Sequence, residues 1–243
     1  MPPPSVAVVT PIWRPTLSEE EFLRVQLTWH STPRWDHIAL VPEGLDITEL
    51  AALLPGWTFR SSPNNHLASI RTYSSWLLQE EFYAQFADFD FIIIAQLDSV
   101  LLAEPPAEAF DYDYLGAPWD PPWRVVIAAG QMRIVRFLGR TWGKRIVVGN
   151  GGLSVRRISA FRAAAEKLAT FVDRGVMETA NEDAVWSYYA SRLNLSLAPE
   201  TVASCFVDLR SDGALDLAPW TGVHGVQDDW DGINAALRKL PRS

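Results

Sequence analysis

The residues of this chain that can do chemistry fall into four groups. Asn181-Glu182-Asp183 sets two acids side by side at the start of a helical pattern. A carboxylate there can take a proton from a bound hydroxyl, or it can simply complement the helix dipole, with Asn181 as the cap. The dipole lowers a carboxylate pKa, so a base role requires a partly desolvated site that restores basicity. Val148-Gly149-Asn150-Gly151-Gly152-Leu153-Ser154-Val155-Arg156-Arg157 places three glycines in four positions and then turns apolar. Such a segment bends tightly and lets a phosphate or a sugar approach its backbone, and a glycine-rich bulge without function has the same composition. It matches neither the phosphate loop, which ends in Gly-Lys-Ser/Thr, nor the dinucleotide fingerprint. Asp98 closes Ile94-Ala95-Gln96-Leu97-Asp98, where it either caps a turn or holds a divalent cation that neutralises a diphosphate. His224, between Gly222 and Gly225, can reach a metal or a phosphate, or serve as a packing residue.

These groups need a scaffold. At 48% apolar residues, 243 residues suffice for one large domain with a sizeable core. A β-branched run over 5–12 reads as a buried first strand. Ser18 with Glu21 three residues on is a capping box that opens a helix. Strand patterns follow at 37–41 and 57–60, around a short helix at 47–54. The stretch 66–86 has helical spacing throughout. The nearly all-apolar 89–95 is a strand covered on both faces. Alternating strands and helices predict an α/β fold with a mostly parallel central sheet flanked by helices. Beyond Leu102 the rhythm breaks: proline and aromatics crowd 105–123, strand character returns at 146–155, and helices are expected at 158–172 and 182–193. We therefore expect one domain with an embellished C-terminal half, its two halves at about 1–102 and 103–243.

Composition excludes several functions. A single cysteine, Cys205, rules out an internal disulfide and a cysteine-rich metal site and fits a reducing compartment. No Gly-x-Ser-x-Gly elbow is present, which leaves nucleophilic hydrolysis without support. Net charge −8 argues against nucleic-acid binding. The N-terminus lacks the pattern of a secretory signal and no apolar run spans a bilayer, so a cytoplasmic protein is expected. The charge is uneven, however. No acid occurs between Pro121 and Ala165, where nine bases lie: Arg124, Arg133, Arg136, Arg140, Lys144, Arg145, Arg156, Arg157 and Arg162. This reads either as a solvated face or as a basic surface, centred on 124–145, for an anionic acceptor or the inner membrane face.

The order of the motifs is more specific than any one of them. Phe82-Tyr83, Gln96-Leu97-Asp98, Asp113-Tyr114-Leu115-Gly116-Ala117-Pro118-Trp119, the glycine string, Asn181-Glu182-Asp183 and His224-Gly225 together resemble a family of glycosyltransferase-like proteins described as DUF5672, within the broader GT-A nucleotide-sugar transferases. The resemblance implies a GT-A-like, Rossmann-like fold. It also implies inverting transfer of a sugar from a nucleoside-diphosphate sugar to the hydroxyl of a glycan or lipid-linked acceptor. By the same match Asp183 is the base and Glu182 orients the acceptor. Substrate contacts are implied for Thr10, Tyr73, Gln96, Trp119, Asn150, Gly151, Gly152 and Asn181. Mn²⁺ or Mg²⁺ is implied at Asp98 and His224; Gln96 stands where the family's first aspartate does, which leaves a metal-independent transferase open. Gln96 also favours the competing reading, a non-catalytic glycan- or nucleotide-binding domain on a degenerate scaffold. A glycoside hydrolase is a more distant third, since its paired carboxylates need a defined separation.

Overall fold

The computed structural model describes residues 3–63, 65–134, 143–209 and 220–226. The first half runs β1 (Val6–Pro11), α1 (Glu19–Ser31), β2 (Asp36–Pro42), α2 (Thr48–Leu53), β3 (Thr58–Ser62), α3 (Ile70–Trp76), α4 (Glu80–Ala84) and β4 (Phe91–Ala95). The second runs β5 (Ser99–Leu101), β6 (Tyr114–Gly116), β7 (Pro118–Ala128), β8 (Gln131–Ile134), β9 (Lys144–Val148), β10 (Leu153–Arg157), α5 (Ile158–Ala169), α6 (Arg174–Thr179), α7 (Glu182–Leu193), α8 (Glu200–Ala203), β11 (Phe206–Asp208) and β12 (Gly222–His224). Among the described residues no helix is long and apolar enough to cross a membrane.

The central sheet has six strands in the order β3-β2-β1-β4-β10-β6. The first four are parallel; β10 runs antiparallel to both β4 and β6. This is the mixed α/β, mostly parallel architecture that the alternating pattern predicts. The apolar runs of β1 and β4 have two faces to fill. Ala7, Val9, Ile92 and Ile94 pack under α3, α4, α5 and α7 with Trp76, Phe82, Phe161 and Trp186. Val6, Val8, Phe91, Ile93 and Ala95 pack on the other face with Leu115, Val155 and Phe206. The capping box at the start of α1 forms as its residues predict, Ser18 and Glu21 each bonding the other's backbone.

Three segments differ from the sequence reading. The helical stretch 66–86 is two short helices, α3 and α4. Leu77 and Leu78, adjacent and both fully buried, sit at the break, and Tyr83 Oη donates to the Leu77 carbonyl at 2.8 Å. The strand character of 146–155 belongs to two strands in different sheets, β9 in the three-stranded β8-β7-β9 sheet and β10 in the central one. The basic segment is not one surface. Arg156 is fully buried, Arg157 pairs with Asp113 at 2.9 Å and Arg162 with Glu80 at 2.6 Å. Arg124, Arg133, Lys144 and Arg145 belong to the β7–β9 sheet, while Arg136 and Arg140 lie outside the described residues.

Gly116 on β6 fixes how closely the second half closes over the sheet. A Cβ there would stand 1.6 Å from the Gly149 carbonyl oxygen, a backbone atom with nowhere to go. Gly116→Ala should cost about 3 kcal/mol in urea unfolding. Gly44→Ala, which meets nothing within 4 Å but holds φ +79°, should cost about 1 kcal/mol. Equal losses at the two positions would refute this account of Gly116.

Candidate active site

In the parallel half the chain leaves β1 toward β2 on one side and lies beside β4 on the other. Open α/β sheets bind ligands beyond the carboxyl ends of strands at such a switch point. A cleft of about 570 Å³ opens there. Pro11 at the end of β1 and Trp13 beyond it line it, as do Gln96, Leu97 and Asp98 after β4 and Ser69, Ile70, Tyr73 and Ser74 of the α3 turn. Asn150, Gly151, Gly152, Asn181, Glu182, Asp183 and His224 complete its inner surface.

The glycine string makes its bend at Asn150, which holds φ +60° and is 3% exposed, a conformation asparagine tolerates better than most residues. The glycines serve a different need. A Cβ on Gly149 would lie 1.9 Å from the Trp119 ring, one on Gly151 1.8 Å from Glu182 Oε1, and one on Gly152 2.1 Å from His224 Nε2. Each glycine thus clears room for a side chain from a different part of the fold. The Gly152 carbonyl accepts from the Gln96 N–H at 2.9 Å and the Ser99 hydroxyl at 3.1 Å, which ties the loop to the exit of β4.

Arg156, on β10 four residues beyond Gly152, was hidden in the basic stretch. It lies under the site with no exposed surface. Its Nη2 donates to Glu182 Oε1 at 2.9 Å and to the Gly151 carbonyl at 3.4 Å, its Nη1 to Tyr83 Oη at 2.9 Å and its Nε to Ser154 Oγ at 3.0 Å. The rings of Tyr114 and Phe161 lie 5.5 Å from it. Burial works against its charge, and Tyr83, Tyr114 and Glu182 outweigh that, so the guanidinium is held protonated. Glu182, 6% exposed, also accepts from Ser74 Oγ at 3.3 Å.

Asp183 has the opposite balance. Its Oδ2 accepts from the Gly151 N–H at 3.1 Å and its Oδ1 from the Ala184 N–H at 2.7 Å. Burial and then the Glu182 charge push its carboxyl up to about 7, against the two N–H groups and Arg156. Desolvation therefore overrides the helix terminus, the condition a base role required. Asn181 occupies the cap position but its side chain makes no cap bond; Asp183 itself takes the Ala184 N–H. The Asn181 side chain is left exposed on the cleft.

Three short strands bring the last group together. Antiparallel pairing of β12 with β5 sets His224 opposite Ser99, and parallel pairing with β11 sets it opposite Asp208. His224 Nε2 then lies 3.5 Å from Asp98 Oδ1, and Nδ1 lies 3.5 Å from Asp208 Oδ1. Among the described residues no group of three or more His, Cys, Asp or Glu is placed to hold a metal ion. The imidazole separates the two aspartates, so Asp98 and His224 are a two-ligand pair. Mg²⁺ is typically held by one or two carboxylates together with substrate phosphates; Asp98 offers one such carboxylate, and the His224 imidazole is a softer ligand beside it.

Ten of the sequence-predicted residues line this cleft; Thr10 and Trp119 do not. Thr10 is 2% exposed inside β1, one residue short of the opening. Trp119 is 3% exposed beneath Gly149 and stacks on Trp123 with centroids 4.0 Å apart, so the pair packs the loop from behind and does not wall the cleft. Sequence reasoning missed Arg24, a buried cleft residue whose Nε donates to the Leu97 carbonyl at 2.8 Å, and Asp208, whose place depends on strand pairing.

Removing one partner of a buried ion pair strands the other. Arg156→Met should lower stability by about 3–5 kcal/mol, and adding Glu182→Gln should recover part of that loss; a single variant within 1 kcal/mol of the parent would contradict it. The folded protein keeps the Asp183 proton to a higher pH than an ordinary carboxyl at 3.8 does. Folding therefore takes up protons between those values, and stability declines as pH rises from 3.8 toward about 7. Urea titrations across this window should show a shallower decline in Asp183→Asn.

No curated protein matches the chain. Residues 56–211 match the family described as protein of unknown function DUF5672, a span that includes Asp98, the glycine string, Arg156, both acids and Asp208 and stops before His224. The chain belongs to the DUF5672 family.

Proposed function

We propose that this protein is a glycosyltransferase of GT-A-like fold that moves a sugar from a nucleoside-diphosphate sugar to an acceptor hydroxyl with inversion. The observation that carries the reading is the Asp183 carboxyl, set in the switch-point cleft against the Gly151 backbone with its proton affinity raised toward neutrality. A base of that affinity suits an alcohol nucleophile at physiological pH. Asp183 takes the acceptor hydroxyl proton as the oxygen attacks the anomeric carbon. The bond to the diphosphate breaks with its electron pair leaving on the phosphate oxygen. Glu182, fixed by Arg156 and Ser74, orients the acceptor and adds the negative charge that keeps Asp183 basic.

The charge of the cleft bears on the donor. Glu21, Asp98, Glu182 and Asp183 line it against Arg24, with Arg156 behind them already paired to Glu182. A bare diphosphate entering this set meets repulsion. A divalent cation arriving with it would be held by Asp98 and His224 and would supply neutralising charge to the leaving group. The unpartnered polar atoms Tyr73 Oη and Asn150 Nδ2, on residues of the same cleft, fit substrate-contacting roles for those residues.

Release of nucleoside diphosphate from a panel of UDP-, dTDP- and GDP-sugars with mixed acceptors tests the reading, with CMP-sugars, which would release CMP, as the comparison donors. Asp183→Asn should lower transfer about 10²–10⁴-fold. In the parent the rate should climb with pH and level off above about 7, as Asp183 loses its proton. Normal transfer by Asp183→Asn would remove the base assignment, and no turnover with any donor would favour a binding domain.

A further inference from the structure

Three large hydrophobic side chains are notably exposed among the described residues: Trp13 at 50%, Ile70 at 83% and Ile134 at 37%. The first two, from elements 57 residues apart in sequence, both line the same cleft. Their exposure is built into the fold. Ile70 opens α3, whose backbone is fixed by the reciprocal bonds of Ser69 and Thr72. Trp13 follows the buried Ile12; the Arg14 guanidinium lies 5.3 Å from its ring centroid and is itself held by Glu21 at 2.5 Å. Between them, Leu67, Ala68 and Val226 continue an apolar lining.

The cleft therefore changes character with depth. Its buried part carries Glu182, His224 and Asn150, 6%, 5% and 3% exposed, beside Asp183. Its open part presents the Trp13 ring and the Ile70 chain, beside the exposed Ser69 and Asn181. A ligand hydroxylated along its whole length would offer Ile70, 83% exposed, little apolar surface to bury it. A ligand polar at one end and apolar at the other would match both zones. A nucleotide base would account for Trp13 through stacking, but Ile70 has no π-face to offer it.

We propose that the acceptor is amphiphilic, with a hydroxyl-bearing polar head against Glu182 and Asp183 and an apolar tail or aglycone laid across Trp13 and Ile70. The identification of this ligand as the acceptor rests on the transferase reading above. Its two-zone binding does not, and can be measured without turnover.

The full chain is titrated by calorimetry with octyl β-D-glucoside, below its micelle threshold, and with methyl β-D-glucoside. The octyl compound should bind at least tenfold tighter. Ile70→Ser and Trp13→Ala should each cut that ratio at least threefold, Ile70→Ser with an unchanged melting temperature, since that side chain is 83% exposed. Ile134→Ser, outside the cleft, should leave the ratio alone. Failure of the octyl compound to bind, equal affinity for the two glucosides, or a preference that survives both cleft variants would overturn the proposal. So would a Trp13→Ala effect confined to UDP binding, which would assign that ring to the donor. Phosphatidylcholine vesicle binding lost in Ile70→Ser, without any glucoside preference, would assign the rim to a bilayer and overturn it as well. If the preference holds and Asp183→Asn still transfers sugar, the transferase mechanism fails and the amphiphilic site stands.

Discussion

The buried Arg156 guanidinium is the constraint on which the site depends. A charge with no exposed surface is tolerable only where its donors are matched. Here they reach Ser154, Tyr83, Glu182 and the Gly151 carbonyl, with two rings against the group. Those partners come from β10 itself, α4, the start of α7 and the glycine loop. One side chain therefore determines where α7 begins relative to the loop. Once that is set, the Gly151 N–H meets Asp183 and the loop has one conformation. The cation also leaves the two neighbouring acids unequal: Glu182 has it at 2.9 Å, while Asp183, left with two backbone N–H groups, keeps an elevated proton affinity. Two adjacent acids become different groups because only one has the arginine.

Close approach, more than flexibility, explains the glycines. None of Gly149, Gly151 and Gly152 adopts a positive φ; Asn150 does. Trp119, Glu182 and His224 each press into the space a side chain would fill, from below, from α7 and from β12. The loop is thus pinned at three consecutive contacts by residues far apart in sequence. The same density places His224 beside both Gly152 and Asp98, so the Asp98–His224 pair and the Glu182–Asp183 acids share one backbone segment.

Where periodicity or local capping decided the outcome, the sequence was readable. The uninterrupted apolar run of β4 meant two covered faces, and both are covered. The Ser18–Glu21 box formed because it needs only its own turn. The start of α7 was legible from its two acids, although the Asn181 side chain makes no cap bond, and the order of the site motifs was legible through the family resemblance. What was not legible depends on distant partners. Arg156 sits in a stretch without acids, and by composition alone such an arginine belongs to a solvated face; its burial follows from β10 lying between β4 and β6. Asp208 joins His224 through strands of three residues, too short to carry a period. The break between α3 and α4 arises from two adjacent leucines that both need burial, a tertiary demand that helical spacing conceals.

Rigidity and openness are divided within the cleft in a way that bears on selectivity. The acids, the imidazole and the loop are held by buried pairs and backbone contacts, so a reacting hydroxyl would meet a fixed geometry, as positioning catalysis requires. The rim presents the carbon of Trp13 and Ile70, with the exposed Ser69 and Asn181 beside it. Apolar contact discriminates weakly between similar shapes, whereas buried polar groups left unpaired penalise a wrong ligand heavily. Selection for the polar end of a ligand therefore falls to the inner residues, and the rim contributes affinity for whatever apolar body the polar end carries. On that division, substitutions at Trp13 or Ile70 would alter the hold on an apolar body, while the inner acids and His224 would set what a polar end meets.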